Sequence, residues 1–400
     1  MEGDFIKINR WLLPLSWCYG MVVRLRNMLF DMGVLKSRAF SVPVISVGNI
    51  TVGGTGKTPH VEYLIKLLQD VGRVAVLSRG YKRDTRGFVM ADDTATARSI
   101  GDEPMQIKKN FPKAIVAVDG NRVRGIRRLL EQVPDIDVIV LDDAFQHRYV
   151  KPGINILLVD YHRLIIYDRL LPAGRMREPL NGKNRADMVI VTKCPKELKP
   201  MEYRVLTKAM DLFPYQSLFF TTFDYSPLSP VFGSSDGAST ATEAPGGETR
   251  GGGVHTLSSL AGYNVLLLTG IASPRQLKED LEKLSSNSTR VVTLSFPDHH
   301  RFRSKDVSSI NSRFEALPQP RCIVTTEKDA ARLREAEGLT REVRRSMYEL
   351  PVHVSFMLEQ EQEFSDYIMG YVRRNSRHSI LTKSIEKQKT EKPGTIRFRD

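Results

Sequence analysis

The chain has 400 residues, of which 41% are apolar and 26% charged, a composition ordinary for a globular protein of about two domains. Its three cysteines are widely separated, which excludes a disulfide framework or a cysteine zinc site and favours a reducing compartment. The formal net charge of +13 indicates an anionic partner: nucleic acid, an anionic membrane surface or a phosphorylated substrate.

An apolar segment near the N-terminus predicts a helix over residues 15–35. Its uncharged part, residues 11–23, is shorter than the roughly 20 residues of a membrane-spanning helix. One narrow stripe of the predicted helix carries small or polar residues, namely Gly20, Arg24, Asn27 and Asp31. The wide apolar arc around this stripe fits two interpretations, a helix lying in a membrane surface or an ordinary helix buried against the main domain.

A glycine-rich segment lies between an apolar run at residues 42–47 and a helical pattern, and this order predicts a phosphate-binding loop. Lys57 would reach the outer phosphates of a nucleoside triphosphate, and the Thr58 hydroxyl would ligate Mg²⁺. Thr51 replaces the first glycine of the usual pattern, and a simple glycine-rich turn beside a surface lysine is the alternative. The residues expected to hold the nucleotide are Thr51, Val52, Gly53, Gly54, Thr55, Gly56, Lys57 and Thr58.

The remaining pattern alternates short apolar strands with helices, which predicts an α/β fold with a parallel sheet and helices on both faces. A segment rich in Gly, Ser and Thr then separates a second, smaller α/β unit, in which residues 352–356 are the last predicted strand. The expected strands of the first unit are 74–77, 115–118, 136–141, 154–159 and 188–191. Those of the second unit are 265–269, 291–294 and 322–325, followed by 352–356.

Five segments follow from this pattern. Residues 1–36 are the N-terminal helix, 37–225 the phosphate-loop domain, 226–256 a flexible insertion, 257–372 the second α/β domain and 373–400 a basic tail. The tail is interpreted either as a disordered solubilising segment or as a ligand for anionic lipid headgroups.

Several groups of candidate catalytic or metal-binding residues lie near the ends of predicted strands or in turns. Asp142 and Asp143 end an apolar strand, where a carboxylate can hold Mg²⁺ opposite Thr58. Asp102 lies in a turn or helix start and could be an N-cap. Residues 297–300, Pro-Asp-His-His, could be a metal site, a base with its orienting partner or a capped turn.

Seven short strings occur in a fixed order along the chain: GNITVGGTGKTP at 48–59, LSRGY at 77–81, GDEP at 101–104, LDDAFQHR at 141–148, LPAGRMREP at 171–179, PDHH at 297–300 and TEKD at 326–329. In order and spacing they resemble the tetraacyldisaccharide 4′-kinases of lipid A biosynthesis over about residues 10–360. Ala144 departs from the family pattern, where glycine is expected, and the insertion and the tail lie outside the resemblance.

The resemblance implies a phosphate-loop kinase, peripheral to the cytoplasmic face of the bacterial inner membrane, with the N-terminal helix as its membrane and acyl-chain platform. It would use ATP and Mg²⁺ to phosphorylate the 4′-hydroxyl of a tetraacylated glucosamine disaccharide 1-phosphate, which gives lipid IVA. The inner-membrane surface and this lipid are the expected partners, with no nucleic acid and no obligate protein partner.

The resemblance also implies roles for single residues. Asp102 would be the catalytic acid/base, oriented by His299 from the second domain, and Lys57 would act on the phosphates. Asp142 and Asp143 would be the Mg²⁺ pair. The positions that would contact substrate or nucleotide are Arg79, Arg122, Gln146, His147, Arg177 and Glu178.

Two other functions compete with this one. A phosphate-loop switch or ATPase would need only a water-positioning residue and a partner, and it leaves the apolar N-terminal helix unexplained. An ATPase that binds nucleic acid would explain the positive charge, but the sequence shows no recognition-helix motif and no basic strand with interleaved aromatic residues.

Overall fold

The computed structural model describes residues 8–232, 256–271, 274–284, 289–298 and 300–376. The chain forms two compact units. The first comprises Met1–Thr222 and Val354–Asp400, and the second comprises Phe223–His353.

The strands and helices alternate along most of the chain, as the sequence predicts. The strands are β1 (Val44–Gly48), β2 (Val74–Ser78), β3 (Val89–Met90), β4 (Ile115–Val118), β5 (Val138–Asp142), β6 (Ile154–Asp160), β7 (Met188–Thr192), β8 (Ser217–Tyr225), β9 (Ser229–Pro230), β10 (Asn264–Thr269), β11 (Arg290–Ser295), β12 (Arg321–Thr326), β13 (Met347–Leu350) and β14 (Val352–Phe356). The helices are α1 (Leu13–Asp31), α2 (Lys57–Leu68), α3 (Ala97–Ile100), α4 (Asp102–Asn110), α5 (Arg122–Gln132), α6 (Pro200–Met210), α7 (Pro274–Leu284), α8 (Ser304–Glu315), α9 (Glu327–Arg334), α10 (Arg341–Arg345) and α11 (Glu361–Asn375).

The first unit is built on a nine-stranded sheet in the order β14-β8-β7-β6-β1-β5-β2-β4-β3. The pairs from β8 to β4 are parallel, and the short β3 runs antiparallel to β4. Every residue of β1, β2, β5 and β7 is buried, because α2 and α11 pack on one face and α5 and α6 on the other. In such a sheet, functional groups gather where the strands end, on both sides of the central strand β1.

Strand β14 differs from the prediction, which assigned it to the second unit and extended that unit to residue 372. It lies at the edge of the first sheet beside β8. Helix α11, which comes next in the chain, also packs on the first unit. Its Phe364, Ile368 and Val372 lie in one hydrophobic core with Phe219 of β8. A short apolar run does not show which of two sheets it joins, because any apolar edge offers comparable burial.

The second unit contains a five-stranded sheet in the order β11-β10-β12-β13-β9. Its neighbours are parallel except for β9, which runs antiparallel to β13. Leu228 and Val231 flank β9 and are buried, so the predicted flexible insertion over 226–256 is wrong at its beginning. Residues 233–255 and the basic tail from 377 onward lie outside the described residues.

Helix α1 packs on the first unit with a face that only partly matches the predicted stripe. Ser16, Gly20, Val23 and Phe30 are buried, whereas Arg24 and Asp31 of the stripe are exposed. Ser16 donates a hydrogen bond to the carbonyl of Leu170 over 2.9 Å, and Arg26 donates to that of Gln146 over 2.8 Å. The interpretation of a helix buried against the main domain holds for this one face but not for the apolar arc, which is largely exposed. The exposed side chains of the predicted arc are Trp17, Met21, Val22, Leu25, Met28 and Met32.

In the part of the chain that the structure describes, no helix combines the length and the apolar character needed to cross a bilayer.

Candidate active site

The phosphate loop leaves β1 and enters α2, which is the strand–turn–helix context that the sequence predicts. Gly53 and Gly56 have φ angles of 125° and 78°, a region that favours glycine, and Gly56 is the N-cap of α2. At Gly48, an added Cβ would lie 2.7 Å from the Cβ of Phe145. Glycine therefore permits the loop and the segment after β5 to approach closely. Lys57 is the first residue of α2, beside helix N–H groups that have no partner within the helix.

The paired carboxylates lie directly beside this loop, because β5 pairs with β1 and places Asp142 opposite Val47. The Ser78 hydroxyl, at the end of β2, donates to Oδ2 of Asp142 over 3.0 Å. Asp143 lies between two cations, with Lys57 Nζ at 3.6 Å and Arg177 Nη1 at 3.4 Å. The structure thus brings together Lys57, both aspartates and Arg177.

The two carboxylates have opposite electrostatic environments. Burial and the charge of Asp143 raise the pKa of Asp142 to about 6, although Lys57 acts in the opposite direction. Burial alone would also raise the pKa of Asp143, but Lys57 and Arg177 outweigh it and lower that pKa below its ordinary value.

These carboxylates fit a magnesium ion. Within the described residues, Oδ1 of Asp142 and Oδ1 of Asp143 are buried and have no hydrogen-bond partner. Buried carboxylate oxygens without donors suit a hard cation that prefers oxygen ligands. Thr58 follows Lys57 in the first turn of α2 and can supply a hydroxyl ligand.

Asp102 is the first residue of α4, and the N-cap is Gly101, with φ of 97°. The alternative in which Asp102 is itself the N-cap is therefore wrong. A Cβ added at Gly101 would lie 3.2 Å from the carbonyl oxygen of Tyr81, so this turn packs closely on the loop after β2. Its neighbour Glu103 contributes to the raised pKa of Asp142, so the start of α4 lies near the aspartate pair.

Helix α1 contacts three of the predicted substrate positions. Tyr19 donates to the carbonyl of Arg177 over 2.7 Å, while Arg26 binds the carbonyl of Gln146. Glu178 is buried and accepts hydrogen bonds from Arg185 at 2.8 Å and from Asn27 at 3.4 Å. Its Oε1 has no partner among the described residues, so this buried carboxylate can accept one more hydrogen bond.

The other substrate positions surround His147. Burial and the charges of Arg122, Arg26 and Arg79 lower the pKa of His147 to about 4, so its ring is neutral at pH 7. Arg79 is exposed, but Arg122 is only 2% exposed and donates to the carbonyls of Asp119 and Asp142. Arg122 is therefore a buried residue that supports the backbone at Asp142. Its position at the start of a basic helix gave no indication of this burial.

Two motifs lie in the second unit. Lys328 of TEKD forms an ion pair with Asp298 of PDHH at 3.2 Å, which links the two strings. His300 stacks on Phe296 and its Nε2 lies 2.9 Å from Oδ2 of Asp306, so its contacts are structural. His299 lies outside the described residues, and its pairing with Asp102 stays a prediction.

Sequence reasoning missed several polar residues that hold the site. Ser78 is part of LSRGY, and its sequence signal is a hydroxyl side chain at the end of an apolar strand. His60, Thr192 and Lys193 had no such signal, since their contacts with the phosphate loop are made through its backbone carbonyls.

The chain matches the profile of a family described as Tetraacyldisaccharide-1-P 4'-kinase over residues 8–373. A Bacteroides thetaiotaomicron relative named Tetraacyldisaccharide 4'-kinase is 52% identical over 386 residues, covering 96% of this chain and 98% of the relative. A relative of the same name from Phocaeicola vulgatus is 53% identical over 382 residues, covering 95% and 99%.

A solved structure of LpxK from Aquifex aeolicus, described as the "apo" form in complex with ATP, is also similar. Its TM-score is 0.65 and its identity 30%, over 90% of this chain and 98% of that chain. The profile match and the relatives lead to one conclusion. This chain belongs to the tetraacyldisaccharide 4′-kinase family.

Proposed function

We propose that this chain transfers the γ-phosphate of ATP to the 4′-hydroxyl of a tetraacylated glucosamine disaccharide 1-phosphate, a step of lipid A biosynthesis. The arrangement of Lys57, at the start of α2, beside the two aspartates at the end of β5 supports this function most directly. Phosphoryl transfer depends mainly on positioning and charge stabilisation, and this arrangement supplies both. Family membership supports the choice of acceptor.

The nucleotide would lie on the phosphate loop, residues 51–58. Backbone N–H groups at the start of α2 bind the phosphates, and the Lys57 ammonium neutralises charge on the outer oxygens. Thr58, Asp142 and Asp143 would hold Mg²⁺, which when bound supplies charge neutralisation on the phosphate oxygens. Ser78 and Arg122 keep Asp142 in place through its side chain and its carbonyl.

Asp102 would accept the proton of the sugar hydroxyl. That hydroxyl is a poor nucleophile near pH 7, so its proton must pass to a base as its oxygen bonds to the γ-phosphorus. The bond from this phosphorus to the bridging oxygen breaks at the same time, and ADP leaves. Asp142 and Asp143 are unsuited to this task, because the metal would occupy their free oxygens.

The disaccharide would contact the group of residues that includes His147, Arg177 and Glu178. Neutral His147 and the partnerless Oε1 of buried Glu178 are hydrogen-bonding groups for sugar hydroxyls and amides. Arg79 is exposed and can pair with a phosphate oxygen. Helix α1 holds two of these segments, through Tyr19 at Arg177 and Arg26 at Gln146.

The apolar arc of α1 would lie in the inner-membrane surface beside the acyl chains of the substrate. Such a continuous exposed apolar surface is unusual on a helix that faces water, and its Trp17 is 63% exposed. Because Tyr19 and Arg26 of the same helix hydrogen-bond to the segments that would contact the substrate, the membrane surface and the active site would share one helix.

An assay of the full chain in detergent micelles tests the function. Incubation with ATP, Mg²⁺ and the acylated disaccharide 1-phosphate should give a product that carries one additional phosphoryl group at the 4′ position, identified by mass spectrometry. ATP turnover should require this acceptor. Turnover without the acceptor, or turnover stimulated by DNA or RNA, would contradict the proposal.

A further inference from the structure

Three side chains that have no role in the proposed function hold the phosphate loop through its backbone carbonyls. Three successive backbone carbonyls of the loop each accept a side-chain hydrogen bond. Lys193 Nζ donates to the Gly54 carbonyl, Thr192 Oγ1 donates to the Thr55 carbonyl over 3.0 Å, and His60 Nδ1 donates to the Gly56 carbonyl over 2.7 Å. Two of the donors are the last residue of β7 and the residue after it.

Fixing the Thr55 and Gly56 carbonyls also fixes the amide groups that follow them, whereas the Thr55 N–H, after the Gly54 carbonyl, donates within the loop to the Gly53 carbonyl over 3.1 Å. A peptide is planar and trans, so the N–H that follows a carbonyl points away from it. Carbonyls of Thr55 and Gly56 that are turned toward Thr192 and His60 therefore turn the N–H groups of Gly56 and Lys57 to the opposite side. That side is the N-terminus of α2, where phosphate oxygens would bind.

Lys193 is itself held firmly. Its ammonium lies 2.7 Å from Oδ2 of Asp160, at the end of β6, and both residues are buried. Lys193 also has a φ of 59°, an unusual backbone conformation for a residue with a side chain. The ion pair directs the ammonium, so that its position over the Gly54 carbonyl is defined by two neighbouring strands of the sheet.

We propose that Lys193, with Asp160 and Thr192, is a positioning residue that pre-orients the phosphate loop for nucleotide. A loop already ordered before binding costs less conformational entropy on binding. Losing this order should weaken nucleotide affinity without affecting the lipid acceptor. The inference rests on the proposed function only in that it requires nucleotide binding at this loop.

The main test variant is Lys193→Met combined with Asp160→Asn. Replacing Lys193 alone would leave Asp160 buried and unpaired, which is strongly destabilising, whereas the pair removes both charges. The amide in Asp160→Asn would keep an oxygen for the N–H of His162, which donates to Asp160 over 2.9 Å. Lys183→Met is the matched control, because Lys183 is equally buried and binds the carbonyls of Met210 and Asp211.

The readouts are the Kd of ADP by calorimetry and the separate KM values of ATP and acceptor. We expect the double variant to raise the Kd of ADP by about tenfold or more, equivalent to about 1.4 kcal/mol. The KM of ATP should rise with it and that of the acceptor should not. Lys183→Met should leave the Kd of ADP unchanged even where it lowers the melting temperature.

Thr192→Val is a second variant that keeps the shape of the side chain and removes the hydrogen bond to the Thr55 carbonyl, together with a longer one of 3.4 Å to the Val159 carbonyl. It should raise the Kd of ADP by about threefold, in line with the modest net value of such a bond. A Kd of ADP equal to wild type in both variants, or an equal rise in Lys183→Met, would overturn the inference. Failure of the wild-type chain to bind ADP would instead contradict the proposed function.

Discussion

The ammonium group of Lys57 lies 3.6 Å from Oδ1 of Asp143. Lys57 is the first residue of α2, which follows β1 and the phosphate loop, and Asp143 is the residue after β5. Because β1 and β5 are neighbours in the sheet, the two side chains lie close together. Arg177 approaches the same carboxylate from a third segment, at 3.4 Å. The group proposed to neutralise phosphate and a group proposed to hold the metal therefore occupy one small region, and the charge of Lys57 lowers the pKa of Asp143.

Replacing Lys57 by Ala should lower kcat by at least about 10²-fold, because charge stabilisation of the transition state is lost. Folding should persist, since Lys57 is not part of a hydrophobic core. Lys66→Ala, an exposed position of the same helix, is the control and should retain wild-type turnover. The steady-state rate of product formation is the measurement, and a near-normal rate in Lys57→Ala would contradict the site.

Replacing Asp102 by Asn should lower kcat by about 10²-fold or more and leave the Kd of ADP close to wild type. The amide keeps the size of the side chain but cannot accept the hydroxyl proton at neutral pH. Asp93→Asn, at an exposed acid of a neighbouring loop, should be silent. An unchanged kcat in Asp102→Asn would show that another group accepts the proton.

Substituting Val22 and Leu25 by Glu should release the chain from anionic liposomes. These side chains are 68% and 54% exposed, so the melting temperature should not change. Each substitution should lower the membrane partition coefficient by roughly tenfold, the value of one buried aliphatic side chain. The control is Met201→Glu, because Met201 is equally exposed on α6.

Flotation in a density gradient measures this binding. Equal flotation of the variant and the wild type would show that the arc is not the anchor. Deleting α1 would be a poorer test, because the deletion also removes the hydrogen bonds of Tyr19 and Arg26 to the carbonyls of Arg177 and Gln146, two residues that we propose contact the substrate.

Buried His60 should make the stability of the first unit fall as the pH is lowered. Burial lowers the pKa of His60 to about 4, although its bond to the Gly56 carbonyl acts in the opposite direction. The unfolded chain binds this proton near pH 6.5, and the folded chain does so only near pH 4. The stabilisation is thus fully present above about pH 6.5 and decreases as the pH falls toward about 4, by up to about 3 kcal/mol.

Urea unfolding at several pH values measures this loss. His60→Gln should flatten the dependence of the unfolding midpoint between pH 6.5 and pH 4, while the contribution of His147 remains. Because the Nδ1 hydrogen bond to Gly56 is disturbed, the same variant should also raise the Kd of ADP. An unchanged pH dependence in His60→Gln would show that this ring does not carry the effect.

The local structure of this protein could be predicted from its sequence. The phosphate loop is a continuous strand, turn and helix, whose glycines and lysine act through their own backbone and near neighbours. Asp142 and Asp143 follow an apolar strand, and parallel strands end at one edge of a sheet, so their approach to the loop was predictable. The alternation of strands and helices predicted the α/β class for the same reason, since periodicity reports local burial.

Contacts between segments that are distant in the chain could not be predicted, because they depend on the tertiary fold. Strand β14 joins the first sheet because α11 has an apolar face that fits the core beside Phe219. Helix α1 packs on the first unit through Ser16, Tyr19 and Arg26, because backbone carbonyls of Leu170, Arg177 and Gln146 accept their hydrogen bonds. Lys193 contacts Gly54, from which it is separated by 139 positions in the chain. Such contacts leave no periodic trace in the sequence, because a backbone carbonyl is present at every residue and only the fold selects which one a side chain reaches.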